Sequence, residues 1–204
     1  MREDFSEDLT EVMIKYDFAL QTITTELNIL IKEYEFHNKI NPVEHVKSRI
    51  KSKESAISKL NRKGYEVTKD NLVNHVHDMV GVRIVCSFLS DVYEIVNLIS
   101  RSKIFKIIGK EDFIKCPKES GYSSYHLNVL VPIHLSGKVE YVEAEIQIRT
   151  MAMDFWASLD HKIKYKFDGI IPDEVTEEAY KCSLEVKKLD DKMYKLNDIM
   201  NKYK

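Results

Sequence analysis

The chain reads as an α+β protein: a mixed β-sheet packed with helices, flanked by a long helix at each end. Three observations predict this. Strand-type and helix-type apolar patterns alternate through the middle of the chain. Two terminal segments carry apolar residues spaced by threes and fours. Only six glycines and four prolines are present, which leaves little room for disordered linkers. With 204 residues, 44% of them hydrophobic, the chain is long enough for one good core plus appended helix. Its formal net charge of −2 supplies no basic field that would argue for nucleic acid.

The first segment places apolar residues at 9, 13, 16, 20, 23, 27, 30 and 34, from Leu9 to Tyr34. That spacing predicts a long helix with a narrow seam, packed either on the central domain or across a subunit boundary. Asn41-Pro42-Val43-Glu44 carries the marks of a helix start: Asn as N-cap, Pro in the first turn, Glu three residues after the cap. On that helix Val43, Val46, Ile50, Ile57 and Leu60 cluster on one side. Lys51, Ser55, Lys59 and Arg62 lie roughly opposite, with Arg49 outside their group. Such a face is also the ordinary state of a surface helix.

A polar stretch ending His75-Val76-His77-Asp78 leads into MVGVRIVCSF, a run typical of a buried strand. Asp91–Ser102 reads as a helix with an Asp cap, Ile104–Ile108 as a short strand, and Lys110–Tyr122 as a loop holding three lysines, Pro117 and Gly121. Ser124–Ile133 forms another strand, and Gly137 a turn. Val139–His161 then begins as a strand with Val142, Ala144, Ile146 and Ile148 on one face. It continues as an amphipathic segment with the chain's only tryptophan, Trp156. Asp168–Asp173, with Gly169 and Pro172, separates this core from a last helix. The seam of that helix is Val175, Ala179, Cys182, Val186, Leu189, Met193, Leu196 and Met200.

The start, MREDFSEDLTE, has no apolar segment of the kind a signal peptide needs, and no apolar run approaches the ~18 residues of a membrane span. Cys86, Cys116 and Cys182 are odd in number and lack the paired spacing of a zinc site. They read as free thiols, which predicts a cytoplasmic protein.

The chemistry begins on the second face of the strand over 139–149, which carries Glu143, Glu145, Gln147 and Arg149. Asp78 sits at the mouth of another strand. Two neighbouring strands can bring the Asp78 and Glu145 carboxylates within reach of one Mg²⁺, which takes its remaining ligands from water and substrate phosphate. Phosphoryl-type transfer needs positioning, a metal and cations more than covalent chemistry. Arg49, Lys51, Lys59, Arg62 and Arg83, with Lys115 and Lys118 of the loop, can supply the charge, and Tyr122 can stack a base. His77-Asp78 also invites a metal-phosphohydrolase reading. The pair feeds directly into a strand and no full ligand set accompanies it, which argues against that chemistry.

These residues form motifs in a fixed order. They are R-x-K-x₃-S-x₃-K at Arg49–Lys59, D-x-V-G-V-R at Asp78–Arg83, G-Y-x-S-Y-H at Gly121–His126, E-I-Q-I-R-T at Glu145–Thr150, and F-W-A-x-x-x-H at Phe155–His161. The set resembles the alarmone synthetase domain of the RelA/SpoT type, over roughly residues 40–168, and the flanking helices match the small alarmone synthetases. The resemblance implies a nucleotidyltransferase-like core divided as residues 1–38, an N-terminal helical segment; 39–168, the catalytic domain; and 169–204, an oligomerising helix. It implies a GTP/GDP pyrophosphokinase that moves the β,γ-pyrophosphate of ATP onto the 3′-hydroxyl of GDP or GTP. The products are ppGpp or pppGpp, and AMP.

Carried over by position, the resemblance assigns Asp78 and Glu145 to catalysis and Mg²⁺. It assigns Arg49, Lys51, Ser55, Lys59 and Arg83 to ATP, with Arg49 and Arg83 sandwiching the adenine as planar cations. It assigns Lys115, Lys118, Tyr122, His126, Gln147, Asp154 and His161 to the acceptor nucleotide. Ser123, Glu119 and Asp154 depart from residues frequent at these positions, which leaves the choice between GDP and GTP open. The short forms assemble as tetramers, in keeping with the seams. A catalytically silent nucleotide sensor or RNA-binding module on the same fold is the alternative, disfavoured by the intact acid pair. A nucleotidyltransferase would differ in releasing pyrophosphate in place of AMP.

Overall fold

In the computed structural model, which describes residues 2–167 and 171–203, with side chains omitted at 2–9, 165 and 201, one sheet organises the chain. The elements run α1 (Arg2–Asn38), β1 (Val43–Ile50), α2 (Lys53–Arg62), α3 (Lys69–His75), β2 (Val80–Cys86), α4 (Leu89–Arg101), β3 (Lys106–Asp112), β4 (Tyr125–Leu135), β5 (Lys138–Thr150), α5 (Met151–Lys166) and α6 (Asp173–Asn201). The strand order is β1-β2-β5-β4-β3. Only the β2–β5 pair is parallel, and β4–β5 forms a long antiparallel hairpin. The sheet is mixed, as the sequence predicts.

Alternation dictates which face is buried. Val80, Val82 and Ile84 of β2, Ala144, Ile146 and Ile148 of β5, and Leu127, Val129 and Val131 of β4 are all buried in one core. Helices α1 and α4 cover that face, bringing Tyr16, Ala19, Ile23, Leu27, Val92, Ile95 and Ile99 into the same cluster. The α1 seam therefore packs on the sheet; the side chain of Leu9, which the spacing includes, lies outside the described residues. The opposite face of the sheet is polar.

One expected element is overturned. Residues 43–50 form an edge strand, β1, paired antiparallel to β2 from Val43↔Cys86 to Ile50↔Val80. Asn41 does cap its own chain, because its Oδ1 accepts from Val43 N–H at 3.0 Å, but the cap closes a local turn into a strand. Helix α2 starts later, with Ser52 as the N-cap accepting from Ser55 N–H at 3.2 Å. Strand pairing along the whole segment overrode a local helix signal. The consequence for the site is direct: Lys47, Arg49 and Lys51 alternate along one extended segment.

Smaller differences follow the same physics. α4 begins at Leu89, and Asp91 sits in its first turn with its carboxylate accepting from Phe88 N–H at 3.1 Å. β3 lies at Lys106–Asp112, two residues beyond the expected start, and α3 falls within a stretch read only as polar. Along α6 the expected seam splits. Val175, Ala179 and Val186 are half-buried, whereas Cys182, Leu189, Met193, Leu196 and Met200 are exposed. The buried positions of that helix are Ser183 and Asp190. Asp168 and Gly169 of the expected separator lie outside the described residues.

Candidate active site

The polar sheet face presents two transverse rows of side chains. One row runs Arg49, Gly81, Glu145 and Asn128 across β1, β2, β5 and β4; the next runs Lys47, Arg83, Gln147 and His126. Because register fixes these rows, residues from four separate chain segments meet without any loop having to place them. Two basins lie on this face. The first, of about 260 Å³, is lined by Lys47, Arg49, Asp78, Arg83, Glu145 and Gln147 among others. The second, of about 460 Å³, is lined by Arg49, Arg83, Lys118, Tyr122, Gln147, Arg149 and His161 among others. Arg49, Arg83 and Gln147 belong to both, so the two guanidinium groups stand on the shared wall.

Asp78 follows α3 and precedes β2. It accepts from Lys59 Nζ of α2 at 2.8 Å and from Lys51 Nζ at 3.0 Å. Lys51 is fixed by its own backbone N–H, which donates to Met79 O at 2.8 Å. Burial would raise the Asp78 carboxyl, but the two lysines outweigh it and hold the group below the usual aspartate range. Ser55 is exposed on the first turn of α2, hydrogen-bonded to the Ser52 cap, and lines neither basin.

Glu145 belongs to a closed ring of hydrogen bonds. Its carboxylate meets His126 Nδ1 at 3.2 Å and Gln147 Nε2. Gln147 Oε1 accepts from Arg149, Arg149 also donates to Tyr122 Oη at 2.9 Å, and Tyr122 Oη meets His126 Nε2 at 2.9 Å. With its proton on Nδ1, His126 donates to Glu145 and accepts the Tyr122 hydroxyl at Nε2, which closes the ring. Burial raises the Glu145 carboxyl, whereas His126 and Gln147 lower it further, leaving the group ionised at neutral pH.

Arg149 is named by the alternation of β5 but received no role from sequence. It is 1% exposed, its guanidinium lies 5.4 Å from the Tyr122 ring centroid, and its Nε is buried without a hydrogen-bond partner. Asp154, on the first turn of α5, pairs with Arg83 at 3.1 Å and with Arg149 at 3.5 Å. It is thus already engaged by two arginines and lines neither basin. Lys118 lies over the Phe113 and Tyr122 rings, at 4.4 and 5.3 Å from their centroids. Lys115 points elsewhere: it pairs loosely with Asp112 at 3.6 Å and lines a separate cavity of about 270 Å³ between α4, α5 and α6. Twelve of the fourteen residues predicted from sequence line the two basins or bond directly to those that do, His126 and Asp154 from behind; Ser55 and Lys115 do neither.

A matching family model, described as a region found in RelA / SpoT proteins, covers residues 48–170. The chain belongs to the RelA/SpoT family. Among its relatives, GTP pyrophosphokinase YwaC of Bacillus subtilis (strain 168) is 46% identical over 187 residues, covering 92% of this chain and 89% of that protein. The crystal structure of small alarmone synthetase 2 from Bacillus subtilis superposes with a TM-score of 0.85 at 44% identity, covering 94% of this chain and 98% of the other. Small alarmone synthetase 1 from the same organism, bound to its product pppGpp, gives a TM-score of 0.85 at 32% identity, covering 93% and 96%.

Proposed function

We propose that this chain is a GTP pyrophosphokinase that transfers the β,γ-pyrophosphate of ATP to the 3′-hydroxyl of GDP or GTP, making ppGpp or pppGpp and releasing AMP. The observation that carries this reading is the pair of adjoining basins. One contains both carboxylates, the other contains the stacking tyrosine, and Arg49, Arg83 and Gln147 are shared between them. Two substrates can lie side by side with their reacting groups at the common wall.

ATP occupies the first basin, its adenine between the planar Arg49 and Arg83 and its phosphates toward Lys51, Lys59 and Ser55. The acceptor occupies the second, with guanine on Tyr122, its 5′-phosphates near Lys118, and Gln147 and His161 beside it; Lys115, which faces the separate cavity, is left out of this reading. His126 and Asp154 act from behind, through Glu145, Tyr122 and the arginines. Asp78 and Glu145 are hard oxygen donors, and among the described residues no cluster of three or more acidic, His or Cys side chains forms a closed cage. Two carboxylates plus water and phosphate oxygens fit Mg²⁺. When bound, the metal neutralises charge on the transferring pyrophosphate. Glu145 accepts the hydrogen bond of the 3′-hydroxyl and takes its proton as the new O–P bond forms at the β-phosphorus. The bond to the α-phosphate oxygen breaks, and AMP leaves.

The exposed apolar positions of α6 support self-association, as a tetramer, with residues 1–38, 39–168 and 169–204 as helical segment, catalytic domain and oligomerising helix. Among the described residues no helix is long and apolar enough to cross a membrane. Cys86, Cys116 and Cys182 are unpaired, which supports a cytoplasmic enzyme. The test is purified protein with Mg²⁺, γ-labelled ATP and either GDP or GTP. Label moving into a guanosine tetra- or pentaphosphate, matched by AMP, is the expected result. Free pyrophosphate, or no transfer by folded protein that binds both nucleotides, overturns it.

A further inference from the structure

We infer that Ser183 and Asp190 of α6 are positioning residues for the acceptor nucleotide, bracing the loop before Tyr122 and the first turn of α5. The inference rests on the acceptor assignment above.

The first brace is steric. Gly121 has φ of 74°, and a Cβ built on it would fall 2.0 Å from Ser183 Oγ and 2.4 Å from Ser183 Cβ. Helix α6 therefore touches the loop backbone at the residue preceding Tyr122, leaving no room for a side chain on the loop. The loop is tied on its other side as well. Trp156 Nε1–H donates to Ser120 O at 3.1 Å, and Gly121 N–H closes a turn onto Lys118 O at 2.8 Å.

The second brace is a hydrogen-bond chain. Asp190, 8% exposed, accepts from the hydroxyl of the fully buried Thr150 at 2.8 Å. Thr150 Oγ1 in turn accepts from Met153 N–H at 3.1 Å, capping α5. A hydroxyl has one proton, so Asp190 fixes its direction and frees a lone pair for the cap. The next residue, Asp154, holds Arg83 and Arg149, and Arg149 holds Tyr122. Both braces converge on Tyr122, one through the loop and one through α5.

The amphipathicity of α6 points the same way. It buries a serine and an aspartate while Leu189, Met193 and Leu196 stay exposed. Apolar burial alone would have docked the helix by the other face. Beside the half-buried Val175, Ala179 and Val186, polar contacts to the acceptor half of the site help to seat it.

Steady-state kinetics with ATP and acceptor varied separately test this in the full chain. Ser183→Val pushes on Gly121, and Asp190→Ala removes the acceptor for Thr150. Both are expected to raise the acceptor KM about ten-fold, with the ATP KM within about two-fold of the parent, and Asp190→Asn, which keeps an acceptor oxygen, to recover most of the loss. Folded variants whose acceptor KM is unchanged, or whose two KM values rise alike, overturn the inference. If Asp190→Ala loses its cooperative melt, Ser183→Val decides by the same criterion. Product formation by the parent protein is the control: its absence overturns the functional reading itself, and GDP binding by calorimetry, weakened or not in Ser183→Val, then decides the brace separately.

Discussion

Replacing Glu145 by glutamine changes one oxygen to an amide and tests the site at its centre. In the parent, two donors converge on this carboxylate, from His126 and Gln147. Glutamine offers one acceptor oxygen and one NH₂, so one donor faces another donor. A mispaired buried group costs about 1–3 kcal/mol, and removing a half-buried charge returns part of that, leaving a net loss of roughly 1–2 kcal/mol. For a chain of this size each kcal/mol moves the melting temperature by about 2–4 °C, so a drop of roughly 2–8 °C is expected, with a cooperative melt retained. Activity should fall much further. On the proposed mechanism the substitution removes one of two metal-binding charges and the base for the 3′-hydroxyl, a loss of at least about 10³-fold in turnover, ~4 kcal/mol at the transition state. The assay is AMP release with GDP or GTP present, beside a thermal melt of the same sample. Turnover within about ten-fold of the parent in folded protein would refute both the metal assignment and the base assignment.

Three further outcomes are expected. Arg49→Lys keeps the charge but loses the plane, so the KM for ATP should rise about ten-fold while the acceptor KM holds, measured by the same kinetics. Met193→Glu with Leu196→Glu charges the exposed side of α6 and should lower the mass measured by light scattering without unfolding the protein; an unchanged mass removes the role of this face in assembly. Glu140, bridged to Lys138 and to Lys15 of α1, has its carboxyl lowered to about 2 by those partners. A depressed carboxyl stabilises the fold above its ordinary range and loses that contribution as pH falls from about 4.5 toward 2. Glu140→Gln should therefore melt closer to the parent at pH 2 than at pH 7, by a small, salt-sensitive amount that calorimetry can read.

How far the sequence reveals this structure depends on whether a pattern is local. β5 announces itself because its period of two runs for the whole strand and its polar face is chemically unusual. β2 is an apolar run too short for a helix. The α1 seam finds its partner on the sheet. β1 is illegible for a physical reason: an edge strand draws order from one neighbour, and its apolar residues, Val43, Val46 and Ile50, fit a helical period equally well. What distinguishes the two is pairing with a segment 30 residues away at Ile50↔Val80 and 43 away at Val43↔Cys86, which no local rule contains. The acid pair, Arg49, Arg83, Lys118 and Tyr122 were legible by type and order, and the fold brings them to one face. Lys115 and Asp154 were not, because side-chain direction in a loop and competition for a carboxylate by two arginines are tertiary facts. Arg149 was visible on its strand, yet its burial, which gives it the Tyr122 and Gln147 contacts, was not.

The single parallel pairing in the sheet also has a bearing on how the molecule comes into being. β4 and β5 are neighbours in sequence and can zip as a hairpin, while joining β2 to β5 must close the long segment between Cys86 and Lys138. Closing such a loop loses chain entropy before any contact repays it, and parallel pairing is slow to form. Asp78 and Glu145 lie on opposite sides of that seam. A partly folded chain can hold the hairpin, its histidine and its glutamate without holding the aspartate beside them. Synthesis therefore requires this long-range pairing as well as the hairpin, and regained synthesis is expected to trail the recovery of secondary structure during refolding.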